Sequence, residues 1–429
     1  MHSRRWSIAV LITAAIAISY FDRQTLPVAV KAIQEEIPIP DQQFGDLTAV
    51  FLAAYAIMYM VGGKLVDMLG TRRAFFFVMI GWSLACASHG LANGILFFAV
   101  CRFLLGLGEG GGFPAATKAV AEWFPLRERS AAMGLINAGT AVGAVAAAPA
   151  VAVVIHYLNW RWAFFLAGGI GILWTIWWMR DYFPPAEHPR LSEEEREEIS
   201  EVFTSAPAET VTTRWIDLLK YKEVWGLVLA KFLSDAAWFF YTPWLPRYLY
   251  YVHGFKTEEV GYYGWIPYAA SGVGSLLGGT LSGWLLLRGF SLNFSRKAAL
   301  AASAACMPWI FLVTRLPVGW AIVLFSLAFF GQQSWSTLVM TLPTDLFPRR
   351  VVASVAGLVG FGGAMGGLAC NLAAGRILKA LGMDTGYVVV FGLTSSFHVL
   401  ALCVILATVR RVEPVDMGGG GRAQVGSQP

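Results

Sequence analysis

Charged residues are scarce in this chain of 429 residues. Asp, Glu, Lys and Arg together make up 14% of the sequence, whereas hydrophobic residues make up 57%. A soluble globular domain carries roughly 25% charged residues, and the mean hydropathy here is +0.59. This shortage of charge excludes an ordinary soluble domain and predicts a protein whose solvent is mostly lipid.

Closely spaced cysteines are absent as well. The five cysteines all fall inside apolar runs and form no CxxC pair, so the sequence indicates neither a disulfide framework nor a zinc site. It contains neither an HExxH nor a GxSxG motif, and no soluble signalling domain is apparent. We therefore expect neither an enzyme nor a sensor, and we expect no metal or other cofactor.

The excess of positive charge is small and dispersed. The formal net charge is +5, and the Lys and Arg residues lie at the ends of apolar runs rather than in one patch, which argues against a nucleic-acid partner. The first residues, MHSRRWSIAVLITAAIAIS, lack a small-residue cleavage site and are followed by further apolar runs. They therefore predict a retained first helix rather than a signal peptide.

Long apolar runs are what the sequence has instead. A membrane-spanning helix needs about 20 mostly apolar residues. Two groups of six runs, within residues 1–179 and 224–409, predict an all-α membrane protein with twelve transmembrane helices in two bundles. The runs are residues 6–30, 48–66, 74–93, 95–117, 131–155, 162–179, 224–250, 261–287, 297–314, 318–341, 351–378 and 386–409.

A polar segment, residues 180–223, separates the two groups. It contains the acidic run SEEEREEI, in which Ser192 followed by Glu195 predicts a capping box at the start of a short amphipathic surface helix. The last residues, 410–429, end in GGGGRAQVGSQP and are expected to be disordered. Twenty Lys and Arg residues on the side of the termini and linker, against seven on the other side, predict that this side is cytoplasmic.

The two groups of helices resemble each other in sequence. FPLRERSAAMGL (124–135) and FPRRVVASVAGL (347–358) align at an offset of 223, and the same offset pairs Glu122 with Asp345. Two six-helix halves related as parallel repeats place a substrate path between them near the middle of the membrane.

Four charged residues interrupt the apolar runs of the first and fourth predicted spans. At about 1.5 Å per residue, Asp22, Arg23 and Arg102 lie at a similar depth, and Glu109 faces the same space roughly 10 Å deeper. Each such charge costs roughly 2.5–3.5 kcal/mol at a helix centre. One interpretation is two buried ion pairs that lock the helices together, and the other is a site that changes its charge.

Charge counting favours the second interpretation. With both acids ionised the four residues sum to zero, whereas protonating one acid gives +1 and protonating both gives +2. The arginines are then free to bind a substrate carboxylate. Proton binding and anion binding favour each other, which is the coupling that a symporter requires. The residues alone leave open which acid titrates near neutral pH.

Two motifs resemble signatures of the major facilitator superfamily. GGKLVDMLGTRR (62–73) is similar to its Gly-x-x-x-Asp-x-x-Gly-x-Arg-Arg loop, and RFLLGLGEG (102–110) is similar to its Arg-x-x-x-Gly-x-Gly-x-Gly helix. YFDR (20–23), WFPLRERSAAMG (123–134) and LSEEEREEI (191–199) further resemble the anion:cation symporter branch. Bacterial members of that branch carry hexuronates, galactonate, glucarate and similar sugar acids.

The resemblance implies roles for particular residues. Asp22 and Glu109 match proton sites of the branch, and Arg23 and Arg102 match residues that bind the substrate carboxylate. In the second half Gly283 stands where the loop signature has an aspartate, so the second gating latch departs from the family pattern. The residues that match the first gating latch are Gly63, Asp67, Gly70, Arg72 and Arg73.

Contacts to substrate hydroxyls are expected from both halves. KFLSDAAW (231–238) is similar to a motif of hexuronate carriers, and Lys231 and Asp235, one turn apart, form either a structural salt bridge or part of the site. Gly360 and Thr140 differ from the asparagine and glutamine of galactonate carriers. The expected contacts are Tyr20, Tyr55, Asn137, Thr140, Trp238, Tyr241, Gln332, Gln333 and Trp335.

The sequence therefore predicts a monomeric, multi-pass transporter of the bacterial inner membrane. We expect it to import a sugar-acid anion, a hexuronate in the first place, by proton symport and alternating access. Galactonate, glucarate or another organic anion and coupling to sodium are open alternatives. An organic-phosphate antiporter fits less well, because the arginine of the first helix lies beside Asp22 and the seventh helix offers only Lys231 beside Asp235.

Overall fold

The computed structural model describes residues 3–199, 215–254 and 257–417, and within these ranges every regular element is a helix. The predicted linker residues 200–214 and tail residues 418–429 lie outside the described ranges. The first half contains α1 (Arg4–Gln34), α2 (Asp41–Leu69), α3 (Thr71–Ser88), α4 (Ile95–Glu109), α5 (Gly112–Trp123), α6 (Arg129–Tyr157) and α7 (Trp160–Asp181). The short helices α8 (Glu193–Glu198) and α9 (Trp215–Leu218) follow. The second half contains α10 (Lys222–His253), α11 (Thr257–Leu287), α12 (Leu292–Ala305), α13 (Val318–Leu346) and α14 (Arg349–Thr408).

Eleven helical segments of the described chain are long and apolar enough to cross a membrane. One of them joins α4 to α5 through a turn at Gly110 and Gly111, and another joins α12 to a 3-10 helix, Pro308–Arg315. The longest segment, α14, covers 60 residues. A straight helix of that length would extend about 90 Å, which is three times the hydrocarbon core of roughly 30 Å.

The chain reverses its direction inside α14. Gly382 has a φ of 76°, a left-handed conformation that glycine adopts without steric cost. A Cβ added at Gly386 would lie 2.9 Å from the Cα of Leu378, although eight residues of straight helix span about 12 Å. Since α14 is two consecutive passes, eleven segments give the twelve passes that the sequence predicts, and the fold class is confirmed.

Side chains cap three helices where the chain leaves a loop. Asn159 Oδ1 accepts a hydrogen bond from the N–H of Arg161 at 3.0 Å, and Ser291 Oγ accepts one from Phe294 at 3.2 Å. Ser192 Oγ accepts one from the N–H of Glu195 at 3.2 Å. This last bond confirms the predicted start of the acidic linker helix.

The side chain of Glu195 fastens the linker helix to the start of α1. Its carboxylate accepts hydrogen bonds from Ser3 Oγ at 2.6 Å and from the backbone N–H groups of Arg4 and Arg5, both at 3.1 Å. Partial burial raises the pKa of Glu195, but these hydrogen bonds and the charge of Arg5 outweigh burial and hold the pKa below its ordinary value. These contacts satisfy backbone donors that the first turn of a helix leaves unpaired.

The two halves pack side by side, with α2 against α14 and α6 against α11. Polar residues of α1, α2, α6, α10 and α13 meet in the space between the halves. The substrate path that the repeat predicts would follow this space.

Candidate substrate site

A central cavity lies between the two halves at the middle of their length. From the first half it is lined by Tyr20, Arg23, Tyr55, Tyr59, Phe113 and Asn137. From the second half it is lined by Lys231, Asp235, Trp238, Phe239, Gln332, Gln333, Ser336, Met340, Gly360 and Ala364. Of the predicted site residues, the structure therefore brings seven to one cavity: Tyr20, Arg23, Tyr55, Asn137, Trp238, Gln332 and Gln333.

Arg23 is the cationic residue of the first half that lines this cavity. Its Nε lies 2.5 Å from Glu109 Oε2, which also accepts a hydrogen bond from Ser19 Oγ at 2.8 Å. The guanidinium carbon lies 4.4 Å from the centre of the Tyr55 ring and 4.6 Å from that of Tyr20. Arg23 is thus held by one carboxylate and two aromatic faces beside the cavity.

Asp22 and Arg102 lie behind this cavity, inside the first half. Asp22 is 1% exposed, and neither of its carboxylate oxygens has a hydrogen-bond partner. Arg102 is 5% exposed, and its Nε also lacks a partner. The remaining oxygen of Glu109, Oε1, is buried and unpartnered too. Buried polar atoms without partners are rare in folded proteins and call for a functional explanation.

The charged groups of the second half form a continuous hydrogen-bonded network. Lys231 Nζ donates to Ser336 Oγ at 2.7 Å and lies 3.0 Å from Asp235 Oδ1. Gln332 Nε2 donates to Asp235 Oδ1 at 3.1 Å. Gln332 Oε1 lies 2.5 Å from Nε2 of His398, which is fully buried. The chain His398–Gln332–Asp235–Lys231 thus runs from the interior of the second half to the cavity wall.

Asn137 joins the two halves across the cavity. Its Nδ2 lies 2.7 Å from Gln333 Oε1 and 3.1 Å from both Ser275 Oγ and Thr337 Oγ1. All three partners belong to the second half. In this conformation the amide of Asn137 holds the halves together, and it becomes available to a ligand only when they move apart.

Three predicted contact residues do not line the cavity. Thr140 is 3% exposed, and Tyr241 is packed in an aromatic cluster, with its ring centre 6.1 Å from that of Phe391. Trp335 is fully buried, with its ring centre 5.6 Å from that of His398. Tyr241 and Trp335 thus pack within the second half, and Thr140 is buried on α6.

His398 and Tyr59 join the site in the structure but were not predicted from the sequence. His398 is a single histidine in an apolar run, which is a weak signal. Tyr59 is one turn after Tyr55, and their ring centres lie 5.1 Å apart, so their spacing is a usable signal. A Cβ at Gly360 would overlap the Tyr59 ring, so this tyrosine occupies the space that a longer residue at position 360 would need.

The central cavity measures about 40 Å³ in this conformation. Pockets that enclose small-molecule ligands usually measure roughly 300–1,000 Å³. A small-molecule ligand of ordinary size therefore requires the lining side chains, or the halves themselves, to separate before it can bind.

The predicted gating aspartate contacts the other half of the molecule. Asp67 Oδ2 accepts hydrogen bonds from the N–H and the Oγ of Ser354, at 2.7 and 2.6 Å. Its second oxygen, Oδ1, lies 3.0 Å from Lys118 Nζ in its own half. These bonds close the face on which α1 begins.

The other predicted latch residues surround Asp67 without pairing with it. Gly63 lies against α14, where an added Cβ would overlap the carbonyl of Ala353. Gly70 turns the chain from α2 into α3 with a φ of 77°. Arg72 Nη2 donates to the carbonyl of Met179 at 2.6 Å, and Arg73 is exposed.

On the same face, the second half uses a guanidinium instead of a carboxylate. Arg296 is fully buried and pairs with Asp345 at 2.7 Å. It also donates to Ser130 Oγ at 2.9 Å and to the carbonyl of Leu126 at 3.0 Å, both in the first half. Where Gly283 replaces the signature aspartate, Arg296 makes one contact between the halves. Arg129 of the first half makes another, with its Nη1 3.5 Å from Asp345 Oδ1.

Comparison with known proteins gives a consistent result. The family model described as Major Facilitator Superfamily matches residues 12–370. The chain is 31% identical over 423 residues to the hexuronate transporter of Escherichia coli (strain K12), covering 96% of each chain. It is 30% identical over 421 residues to the D-galactonate transporter of Escherichia coli O6:H1, covering 95% of this chain and 97% of the relative.

The solved structure of a proton:xylose symporter, XylE, superimposes with a TM-score of 0.77 at 14% identity, covering 96% of this chain and 97% of that one. At this low identity the likeness concerns the fold alone.

Proposed function

Because the chain belongs to the major facilitator superfamily, we propose that it imports a sugar-acid anion, a hexuronate in the first place, by proton symport through alternating access. Relatives that match nearly its whole length are named as transporters of hexuronate and of D-galactonate. A third is named a probable galactarate/D-glucarate transporter. Their shared chemistry is a carboxylate on a chain of hydroxyl groups.

The observation that carries the proposal is the position of Arg23. Its guanidinium lies at the wall of the central cavity, paired with Glu109 and flanked by two tyrosine rings. A guanidinium offers paired N–H donors that match the two oxygens of a carboxylate. The tyrosines and the amides of Gln332 and Gln333 supply hydrogen-bonding groups for substrate hydroxyls.

We propose that the contact between Arg23 and Glu109 couples proton binding to substrate binding. When Glu109 is ionised it holds the guanidinium, and when it takes up a proton it loses the charge that attracts Arg23. The released guanidinium then favours an anion in the cavity, so that proton and substrate bind cooperatively. Asp22 and Arg102, buried behind the pair, form the second acid and second cation of the proposed site.

With Glu109 protonated, the charges of the cavity wall favour a substrate with one carboxylate. Arg23 and Lys231 then contribute two positive charges and Asp235 one negative charge, which leaves a net charge of +1. Because Lys231 is already neutralised by Asp235, the second half offers hydrogen bonds rather than free positive charge. This supports a hexuronate or an aldonate over an aldarate, which carries two carboxylates.

Alternating access is supported by the contacts that close one face. Asp67 and Arg296 both bond across the two halves near the start of α1. We propose that this face is cytoplasmic, since the Lys and Arg residues concentrate there, and that breaking these bonds opens the cavity inward. The carrier would work as a monomer in the bacterial inner membrane.

The direct test is uptake into proteoliposomes with an imposed proton gradient. Galacturonate, galactonate and galactarate serve as substrates, and galactose serves as the neutral control. We expect concentrative uptake of the monocarboxylates that stops on addition of a proton ionophore. Uptake that follows a sodium gradient, or that prefers galactose, would contradict the proposal.

A further inference from the structure

A second cavity, of about 330 Å³, lies outside the central site where α1, α7 and the chain after α7 meet. Three arginines border it: Arg4 at the start of α1, Arg180 at the end of α7, and Arg190 beyond it. The one carboxylate at its wall is Asp181. The formal charge of the wall is therefore +3 − 1 = +2.

Two of these arginines have no anionic partner in the structure. Asp181 is engaged by Trp177 Nε1 at 2.8 Å and lies 3.5 Å from Arg190 Nη1. Within residues 3–199, 215–254 and 257–417, no carboxylate forms an ion pair with Arg4 or Arg180. The cavity thus presents two uncompensated guanidinium groups, which are strong ligands for a phosphate.

An apolar groove continues from this cavity along the surface of the helices. It measures about 580 Å³ and is bordered by Val10, Ala14 and Ile18 of α1 and by Leu173 of α7, and Trp177 borders both the groove and the cavity. The fourteen residues from Arg4 to Ile18 rise about 21 Å, whereas the hydrocarbon of one leaflet is roughly 15 Å thick. The cavity and groove together are therefore long enough for a chain that crosses one leaflet.

We propose that this cavity and groove bind an anionic phospholipid, with its phosphate between Arg4 and Arg180 and one acyl chain along α1 and α7. Three features point to this ligand together. The positive end lies at the arginine-rich ends of the helices, where anionic headgroups are attracted. The Trp177 indole stands at the boundary, as is common for interfacial tryptophans, and the groove beyond is apolar.

Other occupants satisfy only part of this arrangement. A free phosphate would neutralise the arginines but leave the groove without an occupant. A helix from another copy would cover the groove but bring no anion to Arg4 and Arg180. A lipid with a negative headgroup satisfies both parts at once.

The bound lipid would add a second contact to the first turn of α1, which Glu195 already holds. The N–H of Arg4 is bonded to Glu195, while its side chain borders the lipid cavity. The groove leads into a smaller hollow of about 150 Å³ that also borders Ile18 and ends at Asp22. An acyl chain in the groove would therefore pack along the helix that carries Asp22 and Arg23.

The test uses the purified full-length protein in detergent. Thermal stability and native mass spectrometry are measured with dioleoylphosphatidylglycerol, with dioleoylphosphatidylcholine and with inorganic phosphate. We expect phosphatidylglycerol to bind and stabilise the protein, and the other two to have little effect. Each arginine near an anionic headgroup contributes about fivefold, so Arg4→Gln with Arg180→Gln should weaken the lipid response roughly 30-fold.

Two further variants separate the possible occupants. Arg410→Gln with Arg411→Gln removes the same charge from exposed positions after α14 and should leave the response unchanged. Ala14→Leu narrows the groove and should weaken phosphatidylglycerol binding without changing any charge. A response to phosphate equal to that to phosphatidylglycerol would identify the cavity as a site for a free anion. An equal response to phosphatidylcholine would mean that lipids bind there without regard to their charge. Either result, or an Arg4/Arg180 double variant that behaves like the wild type, would overturn the proposal.

Discussion

On the first-half side of the central cavity, Asp22 has no hydrogen-bond partner and Glu109 uses only one of its two oxygens. On the second-half side, Lys231 and Asp235 pair with each other and bond to Ser336 and Gln332. Both sides bury charge beside the same space, yet the first half includes Asp22, a carboxylate without a hydrogen-bond partner, whereas the carboxylate of the second half is paired with a cation.

This difference between the two halves indicates that they have different tasks in transport. Asp22 has no hydrogen bond to lose when it takes up a proton, and a proton on Glu109 would free Arg23 for the substrate carboxylate. A proton on Asp235 would instead cost the pair with Lys231. We infer that the first half changes its charge during transport, and that the second half keeps its charge and orients the substrate.

The largest expected effect comes from removing the charge change. Glu109→Gln keeps the size of the side chain but cannot take up a proton. We expect accumulation driven by a proton gradient to fall to background, while exchange of preloaded for external substrate continues.

The matched control for this variant is Glu122→Gln. Glu122 is a carboxylate of the first half that accepts hydrogen bonds from Thr71 and Tyr182 and does not line the cavity. Its neutralisation should leave proton-driven accumulation in place. Undiminished accumulation by Glu109→Gln would remove the proposed proton role.

The next effect concerns the fixed pair of the second half. Lys231→Met leaves Asp235 buried without its cation, which should lower the free energy of unfolding by about 3–5 kcal/mol. Adding Asp235→Leu to the same protein should recover much of this loss, because a buried pair can be replaced by apolar residues. Thermal denaturation in detergent measures both. A double variant less stable than Lys231→Met would mean that the pair is not the source of the effect.

A smaller effect is expected for the two arginines of the first half, which differ in position. Arg23→Lys keeps the charge at the cavity wall but loses the planar fork, so substrate affinity should fall about tenfold. Arg102→Lys, behind the cavity, should change affinity less. Binding measured by isothermal titration distinguishes them, and equal losses would mean that Arg102 reaches the substrate in another conformation.

The smallest effect should come from His398, which touches the cavity only through Gln332. His398→Phe removes the bond to Gln332 Oε1 and lets the amide turn, which should raise the KM for a hexuronate about fivefold and leave the maximal rate unchanged. His398→Gln restores a donor and should recover part of the affinity. A fall in maximal rate without a change in KM would assign His398 a structural role only.

The sequence predicted which charges are buried but not how they pair. Helical rise placed Asp22, Arg23, Arg102 and Glu109 in one region, and the structure brings Arg23 to Glu109. Helix geometry locates only the backbone. The long, flexible side chain of Arg23 bridges the predicted depth difference of roughly 10 Å to Glu109. Which of two neighbouring charges faces the cavity depends on the rotation of α1, set by packing against α6.

The limits were similar for the aromatic residues, whereas the spans were predicted correctly. Trp238 and Tyr241 are three residues apart, which is about one helical turn. Only Trp238 lines the cavity, because Tyr241 packs among the aromatic rings of its own half. Twelve apolar runs predicted twelve passes, since about 20 mostly apolar residues suffice for a helix to cross the hydrocarbon core. His398 was missed because its role depends on a contact with α13 that no local pattern encodes.

The position of Lys118 beside Asp67 bears on how quickly the carrier can reset. When the halves separate at this face, Asp67 gives up two neutral donors on Ser354 but keeps the ammonium group of Lys118, which belongs to its own half. Asp67 is therefore not stranded when the halves separate at this contact, and its own share of the opening barrier is two hydrogen bonds to a charged acceptor, each worth about 1.5–3 kcal/mol, rather than the rupture of an ion pair. The contact between Asp67 and Ser354 can therefore break and re-form repeatedly, and the strength of its two hydrogen bonds contributes to the rate of the transport cycle.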